Sequence, residues 1–391
     1  MFVVVFHAME NIFPHRGTAE CRARAGEAKG EREVYSATPG VASERGSASG
    51  AAKLARADLL PLLRVTGGDL AALYARADAV RREHCGDAVP VRAILEFSNV
   101  CANDCLYCGL RVSNPVPTRY RMLPDEILAA ARRIAAAGVA GTVVLQSGET
   151  PGPGDAEIES LLRRLKTELP GLAVTLSVGN RPRDVYAAWR EAGMDRYLLR
   201  FETSDPALFA RLHPDGTLAE RLQCLRDLQS LGVQTGGGFM IGLPGETPEI
   251  LADNILLCRE FDFDMIGIGP YIPNPDTPLG SEPNAYADDP EMFFRAIAVL
   301  RLANPDAHIP ATTAYDALIP DGRDRALQRG ANVFMPNATP GPLRKDYQLY
   351  PGKPCIDEDA GDCALCVQAR LRALGRPLAQ GPGHSLKSVG G

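Results

Sequence analysis

Short apolar runs alternate with amphipathic stretches through most of this 391-residue chain. Eight apolar or β-branched runs have the length of buried strands: Arg92–Phe97, Gly141–Gln146, Ala173–Val178, Tyr197–Phe201, Gly237–Ile241, Met265–Gly269, Ile309–Thr313 and Asn332–Met335. Six of the stretches between them have the apolar spacing of helices: Pro124–Ala137, Ala156–Thr167, Arg183–Ala192, Ala219–Leu231, Pro248–Glu260 and Pro290–Leu302. This alternation is typical of βαβ units and a parallel sheet. About eight such units predict an α/β protein with a closed (β/α)8 barrel of the TIM type.

The two ends of the chain depart from this alternation. Residues 1–52 are rich in Gly, Ala, Ser, Arg and Glu and have little apolar periodicity, which predicts a disordered N-terminal extension. A helical pattern begins near residue 53, so we assign residues 53–340 to the barrel. Residues 341–391 carry many Pro, Gly and Tyr residues and predict an irregular C-terminal tail. Its last dozen residues, rich in Gly and Ser, are expected to be loose.

The charge balance and hydropathy narrow the classes of partner. Lys and Arg number 42 against 48 Asp and Glu, so we expect no nucleic-acid partner. No apolar run approaches the length of about 18 residues that a membrane span requires, so no membrane partner is expected. The apolar run at residues 2–6 is too short for the core of a signal peptide. These features predict a cytoplasmic protein.

Six of the ten cysteines form two tight triplets, whereas a disulfide framework would spread them more evenly. Cys101, Cys105 and Cys108 have the spacing CxxxCxxC and directly follow the first predicted strand, where loops open on the catalytic face of a barrel. Soft thiolates suit an iron–sulfur cluster or zinc. A structural zinc site requires four ligands, and no fourth His or Cys lies nearby in the sequence. A [4Fe-4S] cluster on three cysteines leaves one iron open to an amino acid, such as the methionine part of S-adenosylmethionine (SAM).

The second triplet, Cys355, Cys363 and Cys366, has the spacing CxxxxxxxCxxC in the predicted tail. This spacing suggests an auxiliary iron–sulfur cluster or zinc, and a metal-free reduced site is the alternative. The other four cysteines show no ligand pattern and are expected to be inert thiols: Cys21, Cys85, Cys224 and Cys258. His213 and His308 are expected to be structural.

Longer segments carry a family resemblance. SNVCANDCLYCGLR (Ser98–Arg111) resembles the cluster loop of the radical SAM superfamily. Together with RYRM (Arg119–Met122) and DFDMIGIGPYIPNPDTPL (Asp262–Leu279), it is similar to the HydE family of [FeFe]-hydrogenase maturases, over residues 55–375. The resemblance implies a radical SAM enzyme that cleaves SAM to a 5′-deoxyadenosyl radical for assembly of the hydrogenase H-cluster. It implies a [4Fe-4S] cluster, SAM, an auxiliary cluster, a small-molecule or organometallic substrate, an electron donor and other hydrogenase maturases.

The resemblance also assigns residues at the ends of most predicted strands, as a site at the barrel mouth requires. The cofactor-binding set is Tyr107, Ser147, Gly148, Glu149, Glu202, Arg221, Met240 and Pro270. The substrate-binding set is Gln146, Thr175, Arg200, Thr312, Thr313, Met335 and Tyr347. By themselves, Arg200 and Glu202 fit a structural ion pair equally well. One position departs from the family, because HydE-like sequences commonly have Glu where Asn180 stands.

Two other functions remain open from the sequence, a methylornithine synthase and a non-catalytic iron–sulfur carrier, and biotin synthase ranks below both. A methylornithine synthase, which rearranges lysine by radical chemistry, would share the barrel and the cluster but does not account for the second triplet. Biotin synthase would need additional barrel cysteines and an Arg for a sulfur-donating cluster, which we do not find. A non-catalytic iron–sulfur carrier would not require the polar residues at the strand ends.

Overall fold

The computed structural model describes residues 54–150, 154–356 and 360–387. The predicted disordered extension, residues 1–52, lies outside these ranges. The described chain begins with two helices, α1 (Arg56–Leu63) and α2 (Asp69–Cys85), which precede the first strand. In the part of the chain that is described, no helix is long and apolar enough to span a membrane.

The described chain contains these strands: β1 (Arg92–Ser98), β2 (Thr142–Ser147), β3 (Ala173–Ser177), β4 (Arg196–Leu198), β5 (Gln234–Gly237), β6 (Met240–Ile241), β7 (Met265–Ile266), β8 (Gly269–Pro270), β9 (Pro310–Ala311) and β10 (Val333–Phe334). Six of them form the main parallel sheet, in the spatial order β1-β2-β3-β4-β5-β7. The short strands pair in parallel as β6 with β8 and β9 with β10.

Isolated parallel bridges connect the main sheet to the β9–β10 pair. Met265 of β7 bridges His308 just before β9, and Phe334 of β10 bridges Val91 just before β1. A further bridge joins Ile94 to Asn337. With these bridges the strands follow the ring order β1-β2-β3-β4-β5-β7-β9-β10 and return to β1. This order confirms the predicted α/β fold of the TIM-barrel type.

Helices connect successive strands and cover the outside of the sheet. After α2 they are α3 (Pro124–Ala137), α4 (Asp155–Glu168), α5 (Arg183–Glu191), α6 (Pro206–Leu212), α7 (Leu218–Ser230), α8 (Pro248–Glu260), α9 (Glu291–Ala303), α10 (Thr313–Leu318), α11 (Gly322–Leu327), α12 (Gly341–Arg344) and α13 (Ala360–Ala373). In α3, the Glu126 carboxylate accepts from the Leu123 amide at 2.7 Å and caps the N-terminus. The helix ends at Gly138, whose φ of 65° suits glycine.

The predicted fourth and fifth strands are shorter in the structure or displaced from their predicted positions. β4 ends at Leu198, so Arg200 and Glu202 lie beyond the regular strand. The fifth run divides into β5 and β6 at Gly238, which has φ 147°. A Cβ atom there would lie 2.0 Å from the Gly267 carbonyl oxygen, so only glycine allows this approach.

The C-terminal tail is more ordered than predicted. It contains α13, which packs against α3. The expectation of a loose end is wrong for residues 380–387, because this segment crosses the N-terminal face of the barrel, here called the base. Pro382 O accepts from Thr142 Oγ1 at 2.8 Å, and Gly383 O accepts from Arg92 Nη2 at 3.0 Å. Residues 388–391 lie outside the described ranges, and the domain boundary at residue 340 stays a prediction.

Candidate active site

The loop that carries the first cysteine triplet is held by one arginine. The Arg119 guanidinium donates to the carbonyl oxygens of Asn99, Leu110, Arg111 and Asn114 at 2.6 to 3.0 Å. The planar fork of arginine can serve several acceptors at once. The RYRM segment therefore has a structural task, which is to close the cysteine loop against the chain that follows it.

The end of β2 packs directly against this loop. The Gly148 amide donates to Ser98 O at 3.0 Å, and the Ala102 amide donates to Glu149 O at 2.8 Å. A Cβ atom on Gly148 would lie 2.3 Å from Val100 O and 2.9 Å from Cys101 Cβ. Glycine is therefore required at position 148 for the β2 end to contact the cysteine loop.

A large cavity opens at the C-terminal ends of the strands, at the barrel mouth. It has a volume of about 1680 Å³, part of which is open solvent. The structure places every residue predicted for the first triplet, for cofactor binding and for substrate binding on its wall, apart from Thr175. Candidates spread over nearly 250 positions of sequence (Cys101 to Tyr347) thus share one space.

Thr175 lies one layer deeper than the other candidates. In the parallel register it is aligned with Val144 and Ile94, whereas Ser177 is aligned with Gln146 and Glu96. Ser177 lines the cavity and Thr175 does not, and the Thr175 hydroxyl is buried without a hydrogen-bond partner in the described residues. The assignment of Thr175 to substrate binding stays a prediction, and Ser177 is a wall residue that the sequence did not single out.

Two ion pairs organise the charged side of the cavity. Arg200 Nε donates to Glu202 Oε1 at 3.2 Å, and Arg221 Nη2 lies 3.5 Å from Glu149 Oε2. Glu202 has φ 65°, a left-handed backbone conformation that costs roughly 1–3 kcal/mol for a residue other than glycine. Backbone strain of this kind is concentrated at active sites and ligand-binding positions.

Several buried polar atoms on this side have no protein partner in the described part of the chain: Glu202 Oε2, Arg221 Nε and Asn180 Oδ1. Buried polar groups are normally satisfied, so these atoms indicate room for a polar ligand. Glu202 and Arg221 line the main cavity, and Asn180 lines a smaller cavity beside it with Glu149 and Arg221. A charged, polar molecule such as SAM fits this set of donors and acceptors.

The three thiols of the first triplet are close enough to influence one another. Burial, together with the charges of Cys108 and Cys101, raises the pKa of Cys105. Burial also raises the pKa of Cys108 to about 12 and raises the pKa of Cys101. Without metal these groups are therefore held as thiols, and metal binding would have to release their protons.

Among the described residues, no three His, Cys, Asp or Glu side chains converge closely enough to bind one metal ion. A cubic iron–sulfur cluster has no such requirement, because each cysteine binds a different iron atom. The half-buried thiols on the cavity wall fit the cluster.

Another part of the cavity wall is built from the segment at residues 347–353. Tyr347 OH accepts from Gln146 Nε2 at 3.2 Å, and Tyr350 OH lies 2.9 Å from Thr313 Oγ1. Lys353 Nζ donates to Glu96, and both side chains are almost fully buried. Tyr350, Lys353 and Glu96 line the cavity, although the sequence did not single them out.

The second triplet lies outside this cavity. Cys363 and Cys366 are three positions apart on α13 and therefore share a helix face. Arg344, fully buried, donates to Cys355 O at 2.8 Å and contacts Cys363 Sγ at 3.6 Å. Arg344 thus connects the two parts of the triplet.

Comparison with known proteins agrees with this geometry. Residues 95–258 match the family model described as the radical SAM superfamily. This range includes the cysteine loop and the chain from β1 to most of α8. The barrel, the cavity and the three-cysteine loop therefore belong to a radical SAM enzyme, and this class uses a [4Fe-4S] cluster and SAM.

More specific relatives narrow this class. The [FeFe] hydrogenase maturase subunit HydE of Thermotoga maritima is 50% identical over 305 residues, which cover 78% of this chain and 86% of that protein. The chain therefore belongs to the HydE family. A biotin synthase of Streptomyces avermitilis is 27% identical over 288 residues, 72% of each protein. The crystal structure of methylornithine synthase (PylB) has 25% identity and a TM-score of 0.72 over 84% of this chain and 95% of that one. The HydE relative has about twice the identity of either alternative.

Proposed function

We propose that this chain cleaves SAM in the barrel-mouth cavity and uses the resulting radical in assembly of the H-cluster of [FeFe]-hydrogenase. The observation that carries the proposal is one cavity whose wall holds three cysteines together with buried atoms of Glu202 and Arg221 that have no partner among the described residues. Membership of the HydE family supports the maturase role rather than lysine rearrangement.

The cysteine end of the cavity has the task of binding both cofactors. Cys101, Cys105 and Cys108 hold the cluster, which together with SAM supplies a one-electron reductive cleavage that yields the 5′-deoxyadenosyl radical. Glu149 and the backbone at Gly148 lie beside the Cys101 loop, where they contact the methionine part of SAM. Glu202 and Arg221 supply one acceptor and one donor for its polar groups. Tyr107, Ser147, Met240 and Pro270 complete the pocket.

The remaining predicted residues of the cavity wall have the task of holding the substrate. Arg200 presents a guanidinium that can bind a carboxylate in bidentate form. Gln146 and Tyr347 bond to each other and provide further polar contacts, and Thr312, Thr313 and Met335 line the remaining wall. These residues bind and orient a small-molecule or organometallic substrate and exclude water from the radical. Thr175 supports this layer from below.

The second triplet is proposed as an auxiliary iron–sulfur site that is not needed for SAM cleavage. Its cysteines do not line the barrel-mouth cavity. Arg344, which touches Cys355 and Cys363, places a positive charge where a cluster bound by thiolates would carry negative charge.

The proposal includes partners that the maturase role requires. A one-electron donor reduces the cluster, and other hydrogenase maturases deliver the substrate or receive the product. A cytoplasmic location fits the thiol-rich composition. No nucleic acid or membrane takes part.

An anaerobic maturation assay tests the proposal. Iron-reconstituted protein replaces HydE in a mixture of apo-hydrogenase, the other maturases, SAM and reductant, and hydrogen evolution is measured. We expect activity with the native chain, none with Cys105→Ala, and normal activity with Cys85→Ala, whose thiol lies on α2 outside the site. Formation of 5′-deoxyadenosine without hydrogenase activation would contradict the maturase role, and lysine would be the next substrate to test.

A further inference from the structure

A histidine that belongs to no predicted ligand set contacts the first cysteine triplet. His213 Nδ1 lies 3.3 Å from Cys105 Sγ, and His213 Nε2 lies 3.4 Å from the Tyr107 hydroxyl. The imidazole is 6% exposed and lines the same cavity as the cysteines. Both of its nitrogen atoms thus have a partner from the cysteine loop.

The position of the His213 ring is fixed by its surroundings. The residue follows the last turn of α6, where its amide donates to Phe209 O at 2.9 Å. The Phe209 ring stacks on the imidazole at 4.3 Å between centroids, and Tyr107 meets it edge-on at 5.4 Å. A backbone bond from the Leu106 amide to Leu212 O, 3.0 Å long, joins the helix end to the cysteine loop. The ring is therefore held against Cys105 by packing on several sides.

The direction of the hydrogen bond between His213 and Cys105 follows from which of the two groups can carry a proton. A cysteine that binds a cluster is a thiolate and has no proton to donate. Nδ1 must therefore carry the proton that lies between His213 and Cys105. In a neutral imidazole Nε2 is then an acceptor, and the Tyr107 hydroxyl, which is protonated near neutral pH, can donate to it. Tyr107 thus favours the tautomer that directs N–H at the sulfur.

We propose that His213 is a positioning residue that donates a hydrogen bond to Cys105 Sγ and raises the reduction potential of the cluster. The inference rests on the proposed function, because it requires a cluster on Cys105. A hydrogen bond withdraws electron density from the thiolate, which stabilises the reduced and more negative cluster. The cluster is then reduced by a weaker electron donor than it would otherwise need.

The first test measures the midpoint potential of the reconstituted cluster by redox titration followed by electron paramagnetic resonance. His213→Phe keeps the ring stack on Phe209 but removes the donor, so we expect a lower midpoint potential. His213→Asn places an amide N–H near the position of Nδ1 and should restore much of the native value. His84→Phe, which changes a histidine on α2 outside the site, should leave the potential unchanged.

A second test is spectroscopic, and its first measurement needs only the native protein. In the native protein exchanged into D2O, electron–nuclear double resonance should detect an exchangeable deuteron coupled to the reduced cluster. The coupling of the Nδ1 deuteron should disappear in His213→Phe and be replaced by an amide coupling in His213→Asn. The coupling of the Leu110 amide, which donates to Cys108 Sγ at 3.4 Å, should persist in all variants. Tyr107→Phe, which releases Nε2, should weaken the Nδ1 coupling.

The outcomes separate this inference from the function on which it rests. A full iron and sulfide content with an unchanged midpoint potential and deuteron coupling in His213→Phe would overturn the role of His213 and leave the radical SAM assignment intact. A native protein with no exchangeable deuteron near its cluster other than that of the Leu110 amide would also overturn it. Failure of the native chain to hold a cluster would instead contradict the proposed function.

Discussion

The mouth and the base of the barrel both bury charged side chains, but these side chains differ in how many of their polar atoms have hydrogen-bond partners. At the mouth, Glu202 Oε2, Arg221 Nε and Asn180 Oδ1 have no partner in the described residues. At the base, every guanidinium nitrogen of Arg196 is bonded, to acceptors on Gln234, Thr142, Pro382 and His384 at 2.9 to 3.1 Å. The hydrogen bonding of Arg92 is less complete. Both of its terminal nitrogens donate, but its Nε has no partner in the part of the chain that the structure describes.

This difference separates the two tasks of a barrel. Polar groups that are bonded within the protein hold the fold together, whereas unpartnered ones cost stability unless a ligand satisfies them. The strained backbone of Glu202 belongs to the same pattern, because it lies at the mouth. Substitutions at the mouth should therefore change ligand binding, and substitutions at the base should change stability.

The largest effect should come from the residue that shapes the mouth itself. Arg119→Ala removes the donor to four carbonyl oxygens of the cysteine loop, so the loop should no longer present its thiols together. We expect loss of cluster binding, measured as iron and sulfide per chain after reconstitution, and loss of 5′-deoxyadenosine formation. Arg121→Ala, an exposed neighbour, is the control and should bind iron normally. Full iron content in Arg119→Ala would show that the loop is held by other contacts.

A substitution at the base should lower stability without weakening ligand binding. Arg196→Met removes four hydrogen bonds, to Gln234, Thr142, Pro382 and His384, and each contributes roughly 0.5–1.5 kcal/mol. We expect the free energy of unfolding in urea to fall by about 3–5 kcal/mol. SAM affinity of the folded protein should not change. Arg56→Met, at an exposed ion pair, should change stability by less than about 1 kcal/mol. A loss of SAM affinity in Arg196→Met would contradict the separation of mouth and base.

A substitution of Glu202, at the mouth, should weaken ligand binding without lowering stability. Glu202→Gln removes a negative charge that faces the cavity, and a hydrogen bond to a charged group contributes about 1.5–3 kcal/mol. SAM should therefore bind roughly 10- to 100-fold more weakly by calorimetry under anaerobic conditions. The free energy of unfolding of the SAM-free protein should stay the same or rise slightly. Glu220→Gln, an exposed capping residue of α7, provides the matched control.

The smallest expected effect is on the pH dependence of the free energy of unfolding. Burial and the nearby Arg92 lower the pKa of His308 at the base from 6.5 to about 3. Between these two pH values the unfolded chain binds a proton that the folded chain refuses, so stability falls as the pH falls. The slope from this residue should be about 1.4 kcal/mol per pH unit below 6.5 and zero above it. His308→Asn should flatten the slope in urea unfolding between pH 6.5 and 5, and an unchanged slope would mean that His308 is accessible to protons.

Much of the fold was predictable because strand and helix patterns are local. The helix Pro124–Ala137 was predicted to the residue, since its proline, capping Glu126 and following Gly138 act within a few positions. The helices α6, α10 and α11 were not predicted, because short helices carry too few residues to show a period. The division of β5 from β6 was also missed, because it depends on the approach of Gly267 from another part of the chain.

The candidate site was predictable to a similar degree. The spacing of the three cysteines by itself predicts a cluster site. The other candidates follow the predicted strands, and the ends of parallel strands meet at the mouth of a barrel. The depth of a residue within the barrel was not predictable. Thr175 and Ser177 both point inward, and only the register with β2 shows which of them reaches the cavity.

The sequence by itself determined the class of this protein, because hydrophobic alternation and CxxxCxxC spacing are properties of neighbouring residues. Tertiary structure alone decided that His213 meets Cys105, 108 positions away, and that residues 380–387 cross the base instead of hanging loose. Contacts at such separations depend on how every intervening element packs, and no local pattern encodes them. Short motifs thus determine which chemical groups the site contains, while the folded barrel determines which side chains surround them.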